Sequence, residues 1–386
     1  MRLKITSLLL FFLSCSILSN AQVWYPEGVF TQNSPELIKV DNFVITISKI
    51  EKDTSYSYWK VCVNDGKSWL NLPVLKLNGK AEVFDMRIYQ GMVHVAGRFE
   101  FEDGKFNALV RYNGFNWQGV SEFKNNSNNS AAILCLNQED KDLIIGGNFY
   151  TIGNDTLPYL GRYNSGKFNT YFKNCISCQP NNSITQLASN DSVIAISGQF
   201  TEINNQKSKF LVRLVKHQIK DTFLSTPFII ENIALEGDVI YVSGGAARNK
   251  KIFKVTDVFT ELRNNLDTAF QIGEIVTWEN QLVLSGSLKL SSENEMNGIF
   301  NYNNGKWTNL SNNYSNVRHI ASGRSILVAS GTPKNTLSIW NPNRFVVRFY
   351  PNLALVKAKV FLDSNNNCIQ ESNEKPVPIY TSTVHK

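Results

Sequence analysis

Histidine is the scarcest chemistry-bearing residue of this chain, with four in 386 residues. His94, His217, His319 and His385 stand far apart, so they offer no cluster of imidazoles for a zinc or copper site. No nucleophile elbow, His-Glu pair or phosphate-binding loop is written anywhere. Charged residues make up only 18% of the chain, and its Lys and Arg are scattered. Without a basic stripe, nucleic acid is excluded as a partner. Beyond the N-terminus, no stretch reaches the roughly 18 apolar residues that a membrane-spanning helix needs.

The first 21 residues form a short apolar run behind Arg2 and Lys4, closing on Ser19-Asn20-Ala21 before Gln22. This is the pattern of a secretory signal peptide, too short and wrongly flanked to span a membrane. Cys15 stands where a lipidation cysteine could, although Phe12 occupies the position three before it where Leu is usual. Removing the leader takes two of 39 basic residues and leaves 37 against 32 acidic ones, a mild excess of +5. The chain reads as exported, and secreted or held on a surface.

What is abundant is repetition. An apolar stretch ending in Gly recurs at Gly97, Gly147, Gly198, Gly244, Gly286 and Gly331, with Lys49 at the same place in a first unit. Subtracting neighbours gives spacings of 48, 50, 51, 46, 42 and 45 residues. A period of roughly 40–50 residues with four short strands per unit is the spacing of a β-propeller blade. Seven units therefore predict an all-β chain with seven four-stranded blades.

In the third unit, alternation places strand A at 132–136, B at 143–147, C at 159–163 and D at 168–172. The C–D turns repeat one device, in Asn64-Asp-Gly66, Asn113-Gly114, Asn164-Ser-Gly166 and Asn303-Asn-Gly305. Asn and Gly accept the positive φ angles of a tight hairpin. An aromatic then opens strand D at Trp69, Trp117, Phe168, Trp307 and Phe345, and these rings are expected to wedge between blades.

A strand ending in Gly-Gly, a variable loop, an aromatic strand, a turn and a Trp together resemble the kelch repeat. They are similar also to the Gly-Gly-Asn-Phe repeats of large secreted surface proteins of Bacteroidota, here Gly146-Gly-Asn-Phe149. The resemblance covers about residues 30–350, and the domain is set at 22–352. Lys49 departs from it, and units five and seven lack the Phe. It implies a seven-bladed propeller of kelch or galactose-oxidase-like type and, by itself, no activity. The clustered His and Tyr copper ligands of galactose oxidase have no counterpart among the four isolated histidines.

Loop lengths divide the two ends of the blades. A–B and C–D turns are short, whereas B–C and D–A connections are long and varied, as at 100–105, 150–157, 202–207, 123–130 and 173–183. The elaborated end is the expected recognition surface for an extracellular glycan or protein. Acids in these loops, Glu100, Glu102, Asp103 and Glu202, could instead pair over the channel as in a carbohydrate-active enzyme. Arg111, Arg162, Arg213 and Lys254 recur on strand C as structural ion pairs or as an anion site.

Of six cysteines, Cys62 and Cys135 lie in apolar strands and read as buried thiols. Cys175-Ile-Ser-Cys178 lies in the longest D–A loop and reads as a local disulfide, with a redox pair or free thiols as the alternatives.

From residue 353 the text changes. Asp363, Asn365, Asn367, Glu371 and Glu374 place oxygens at positions one, three, five, nine and twelve of one loop, a spacing that suits calcium. Cys368 stands where an EF-hand loop has Gly, and an unmetallated Asn-rich turn is the alternative. The segment 353–386 resembles the opening of an SdrD B-type, Cna-B-like β-sandwich domain, of which it holds only a part. Calcium should therefore stabilise this chain little, and a chain extended beyond Lys386 by roughly RT ln(1 + [L]/Kd). Melting curves with calcium and with chelator check this; equal shifts in the two chains show a site already complete, and no shift in either returns the segment to a plain turn.

Overall fold

The computed structural model describes residues 21–353, except 30–34, 42, 53–54, 65–67, 103, 128–129, 173–174, 216–217, 223–225, 227, 292–293, 311–313, 324–325 and 334–344. The signal-peptide residues 1–20 and the calcium candidate at 363–374 lie outside the described residues. The chain divides into two compact units, Pro26–Arg348 and Met1–Tyr25 with Phe349–Lys386. Among the described residues every regular element is a strand and no helix occurs.

Repeats one to six each fold as four antiparallel strands A to D. In the third these are Ile133–Glu139, Asp142–Gly147, Leu160–Asn164 and Lys167–Thr170, within a few residues of the expected places. In the seventh, Tyr314–Ser322 pairs with Leu327–Pro333. Tight turns close the hairpins where positive φ was expected: Ser165 at 49° before Gly166 at 86°, and Asn304 at 48° before Gly305 at 78°.

Two sheets are larger than the repeat. Strand A of repeat two, Leu75–Tyr89, pairs first with Tyr56–Asn64 of repeat one and then with its own strand B, Met92–Glu100. The two repeats thereby share an eight-stranded sheet. Repeats five and six merge in the same way through Lys250 opposite Ala269.

The recurring glycine has one cause. Strand A carries a register shift opposite the end of strand B, between Ile133 and Cys135, Ile184 and Gln186, and Ile230 and Asn232. Such a bulge swings one carbonyl out of the ladder. In repeat three it is Ala132 O, which accepts the N–H of Asn148 at 3.0 Å. A Cβ on Gly147 would sit 2.1 Å from that oxygen, and one on Gly286 would sit 2.2 Å from Gln271 O. In repeat one the A–B ladder starts with Leu37 opposite Ile47, so the described pairing does not reach Lys49.

The apolar core lies between neighbouring repeats. Ala195 and Leu211 of repeat four pack with Ile230, Ile240 and Val242 of repeat five. Cys135, Ile144 and Leu160 of repeat three pack with Ile184, Ile196 and Val212 of repeat four. A further cluster joins Ile38, Val40 and Val44 of repeat one to Ala321 and Val328 of repeat seven. Trp117 and Trp307 are buried, and each indole N–H donates to the preceding repeat, at Pro73 O (2.7 Å) and Leu262 O (3.0 Å).

Gly147→Ala should cost about 3 kcal/mol, because its new methyl meets backbone that can only move by disturbing the bulge. Gly166→Ala, with φ of 86° but open space around it, should cost about 1 kcal/mol. Urea unfolding of both variants checks the difference; equal costs would show that the close approach is not what selects glycine.

Candidate functional site

Strand A of every repeat contributes to the wall of a central cavity of about 1020 Å³. Its lining extends to the A–B turns at Glu139 and Asp140 and at Asn190 to Ser192. Five acids (Asp85, Glu139, Asp140, Asp191, Glu274) and two bases (Lys39, Arg87) line it. Five minus two gives a formal −3, opposite in sign to the +7 of the whole chain.

Most of these charges tie one repeat to the next. Asp85, buried, accepts the Leu136 N–H of repeat three at 2.8 Å on Oδ2, and Lys39 of repeat one lies 3.1 Å from Oδ1. Glu274 does the same between repeats six and seven: Ile320 N–H donates to Oε2 at 2.8 Å, and His319 Nδ1 is 3.0 Å from Oε1. Asp41 pairs with Arg87 and accepts the Ile88 N–H at 3.0 Å. Uncharged ties complete the series: Ser189 Oγ to Asn137 Oδ1 (3.0 Å), Asn190 Nδ2 to Gly237 O (2.7 Å) and Thr277 Oγ1 to Leu235 O (2.8 Å). The sequence clue to Asp85 and Glu274 is an acid set among apolar neighbours, Val83-Phe84-Asp85-Met86 and Ile272-Gly-Glu274-Ile-Val276, where it needs a partner to remain charged.

The strand C arginines are held by partners in their own repeat or the next. Arg213 is buried; it donates to Asp221 Oδ2 at 2.5 Å and to Asp238 O of the next repeat at 2.6 Å. Arg162 pairs with Asp142 at 3.1 Å and Glu139 at 3.4 Å and stacks 4.6 Å from the Tyr171 ring. Burial and then Glu139 push the Tyr171 phenol far above its ordinary pKa. Arg111 reaches Tyr163 Oη of repeat three at 3.2 Å. Beside it, buried His94 bonds Met92 O through Nδ1 at 3.1 Å, while Nε2 finds no partner. Burial lowers the His94 pKa to about 4, the Met92 carbonyl opposes that shift, and Arg111 adds to it.

The long-loop end is built rather than merely long. Phe123–Lys124, from a D–A connection, pairs with Thr151–Ile152, which pairs with Asp155–Thr156. Glu202–Ile203 and Gln206–Lys207 form a hairpin. Phe149 and Phe200, which follow the glycine motif, are fully buried beneath these segments. A disulfide joins Cys175 and Cys178, with Cα atoms 5.2 Å apart. Its loop holds the hairpin: Asn204 N–H donates to Cys178 O at 2.7 Å, and Asn181 Oδ1 accepts Thr201 N–H at 2.9 Å. Cys62 and Cys135 are buried free thiols.

Glu100, Glu102 and Glu202 do not line the cavity, whose acids come from strand A and the A–B turns. Glu100 closes strand B of repeat two, and Glu202 opens the short hairpin of the B–C segment of repeat four. Asp103 lies outside the described residues, as do Asp363, Asn365, Asn367, Glu371 and Glu374. Among the described residues no group of three His, Cys, Asp or Glu is placed to hold a metal, and no helix is long and apolar enough to cross a membrane.

No protein-family profile matches the chain, and no curated protein matches it in sequence. Solved structures do. The β-propeller domain of the trilobed protease of Pyrococcus furiosus is 10% identical and superposes with a TM-score of 0.50, over 84% of this chain and 94% of that one. YCF48 bound to a D1 peptide, also 10% identical, gives 0.46 over 85% and 96%. The extracellular domain of the one-component system BT4673 of B. thetaiotaomicron, 12% identical, gives 0.43 over 85% of this chain and 41% of that one. At such identities the likeness concerns fold alone. Strands in fours around a central cavity, and the protease-domain superposition, make this an all-β protein of the β-propeller class.

His94 should make the fold acid-sensitive. Its folded pKa of about 4 lies below its ordinary 6.5, so the unfolded chain takes up the proton first. Stability is whole above pH 6.5 and falls by roughly 3 kcal/mol as pH drops towards 4. His94→Gln should flatten that component of a stability–pH profile measured by urea unfolding; an unchanged slope would assign the acid loss to other groups.

Proposed function

We propose that this chain is a secreted or cell-surface, non-enzymatic binding module: a seven-bladed propeller that recognises an extracellular glycan or protein through its long-loop end. The observation that carries the reading is the difference between the two ends of the sheets. One is closed by two-residue turns such as Gln90-Gly91 and Glu279-Asn280, both with positive φ. The other bears a three-stranded annex, a hairpin and a disulfide-braced loop. Order beyond what connection requires costs about 1–2 kcal/mol per residue in entropy, and surfaces that present rigid loops on a sheet scaffold are used for recognition. The ties made by Asp85, Glu274 and Arg162 give the ionised channel wall a holding role. Export rests on the leader at 1–21, and a calcium site at 363–374 remains part of the same proposal for the segment 353–386.

Biotinylated mature protein should bind members of an array of bacterial polysaccharides and extracellular-matrix proteins. Ile176, 56% exposed in the disulfide loop, and Phe115, 89% exposed at the opposite end, allow the ends to be told apart. Ile176→Ser with Tyr150→Ser should weaken binding about tenfold, and Phe115→Ser should not. The reverse dependence would move recognition to the short-turn end, and cleavage of an arrayed polysaccharide would replace the binding module by a carbohydrate-active enzyme.

A further inference from the structure

Three residues one repeat apart share a left-handed backbone just before strand C: Ala108 (φ 40°), Tyr159 (φ 65°) and Phe210 (φ 71°). The spacing is 51 residues each time, 159 minus 108 and 210 minus 159. The turn itself is structural. Tyr159 N–H donates to Phe149 O at 2.9 Å and its C=O accepts the Gly147 N–H at 3.0 Å; Phe210 repeats both bonds with Phe200 and Gly198, each at 3.2 Å. A left-handed position suits Gly or Asn, and costs a bulky L-residue roughly 1–2 kcal/mol. In repeat two the position holds a small, fully buried Ala108. In repeats three and four it holds a large aromatic that is only half-buried.

Strain without a matching gain in burial points from the outlier towards function. Tyr159 rests on the cluster of Phe172, Cys178, Phe200 and Ile203 at the seam between repeats three and four. Tyr150, 37% exposed, meets its ring at 6.2 Å and 72°. Neither phenol has a hydrogen-bond partner among the described residues. The flanking segments supply short polar side chains at Thr151, Asn154, Thr201 and Asn205. Flat apolar faces and free hydroxyls match a pyranose, which has one face of C–H groups and a rim of hydroxyls.

We propose that Tyr150 and Tyr159 form a sugar-binding subsite at the seam of repeats three and four, stacking on the C–H face of a neutral glycan. Phe210 repeats the device on repeat four. This rests on the long-loop end being the recognition surface, and it names both the ligand class and the residues that meet it.

Affinity electrophoresis in gels holding laminarin, xylan, galactomannan or dextran tests it, beside thermal melts of the same proteins. At least one polysaccharide should retard the wild type. Tyr159→Asn should weaken that retardation about tenfold, the worth of one aromatic contact near 1.4 kcal/mol, with a melting temperature unchanged or raised because Asn suits the backbone. Tyr159→Phe should bind within about threefold of wild type. Unaltered retardation of Tyr159→Asn overturns the subsite while leaving the recognition surface in place. A lowered melting temperature for Tyr159→Asn also overturns it, since the ring would then serve packing. A wild type retarded by none of the four excludes neutral glycan as the ligand class, and protein binding on the array would still uphold the broader reading.

Discussion

The contact between a bulged carbonyl of strand A and a glycine of strand B is the constraint on which the rest of this structure depends. The carbonyl leaves its own ladder to accept the N–H that follows the glycine, as Ala132 O does for Asn148. No side chain fits in that space, so glycine is required by distance and not by φ. The Asn148 side chain then accepts the Ala132 N–H at 2.6 Å, and Phe149 turns inward to the core. A four-residue motif thus sets the entry of strand A, the exit of strand B and the floor of the loop above them.

The bulge also decides where charge goes. Just beyond the register shift, strand A presents Asp85 and Glu274 towards the next sheet, where each accepts a backbone N–H and faces a cation or an imidazole. A buried carboxylate without such partners costs several kcal/mol, whereas a charge-assisted bond contributes about 1.5–3 kcal/mol. The net gain is small, and direction is the larger effect, because each tie fixes one repeat's height against its neighbour. Arg213 serves the outer part of the wall in the same manner, and Trp117 and Trp307 do so with indole N–H groups.

Local features were legible in the sequence because each has a local cause. Alternation located the strands to within a few residues, and Asn-Gly pairs located the turns through their positive φ. The glycine row showed the repeat before its reason was visible. What could not be read depends on partners far away in sequence. Nothing in Tyr56–Asn64 announces that it will pair with strand A of the next repeat, and the short strands at Phe123–Lys124 and Thr151–Ile152 are too brief to show alternation. The loop acids looked more exposed to chemistry than Asp85 because a sequence displays charge and hides direction. Tyr159 read as the first residue of strand C, and only the backbone shows it turned.

The cluster of Ile38, Val40 and Val44 with Ala321 and Val328 has a consequence for how the molecule assembles. Nearly every other core contact joins residues within one or two repeats, and such contacts close small loops at little entropic cost. This one joins the two extremities of the Pro26–Arg348 unit, so it forms only after everything between them has its final curvature. It acts as a keystone: the last piece set, held in place by the accumulated angle of the others. Small errors of twist in any repeat therefore add up at a single joint, and that joint is where the unit should first open under load.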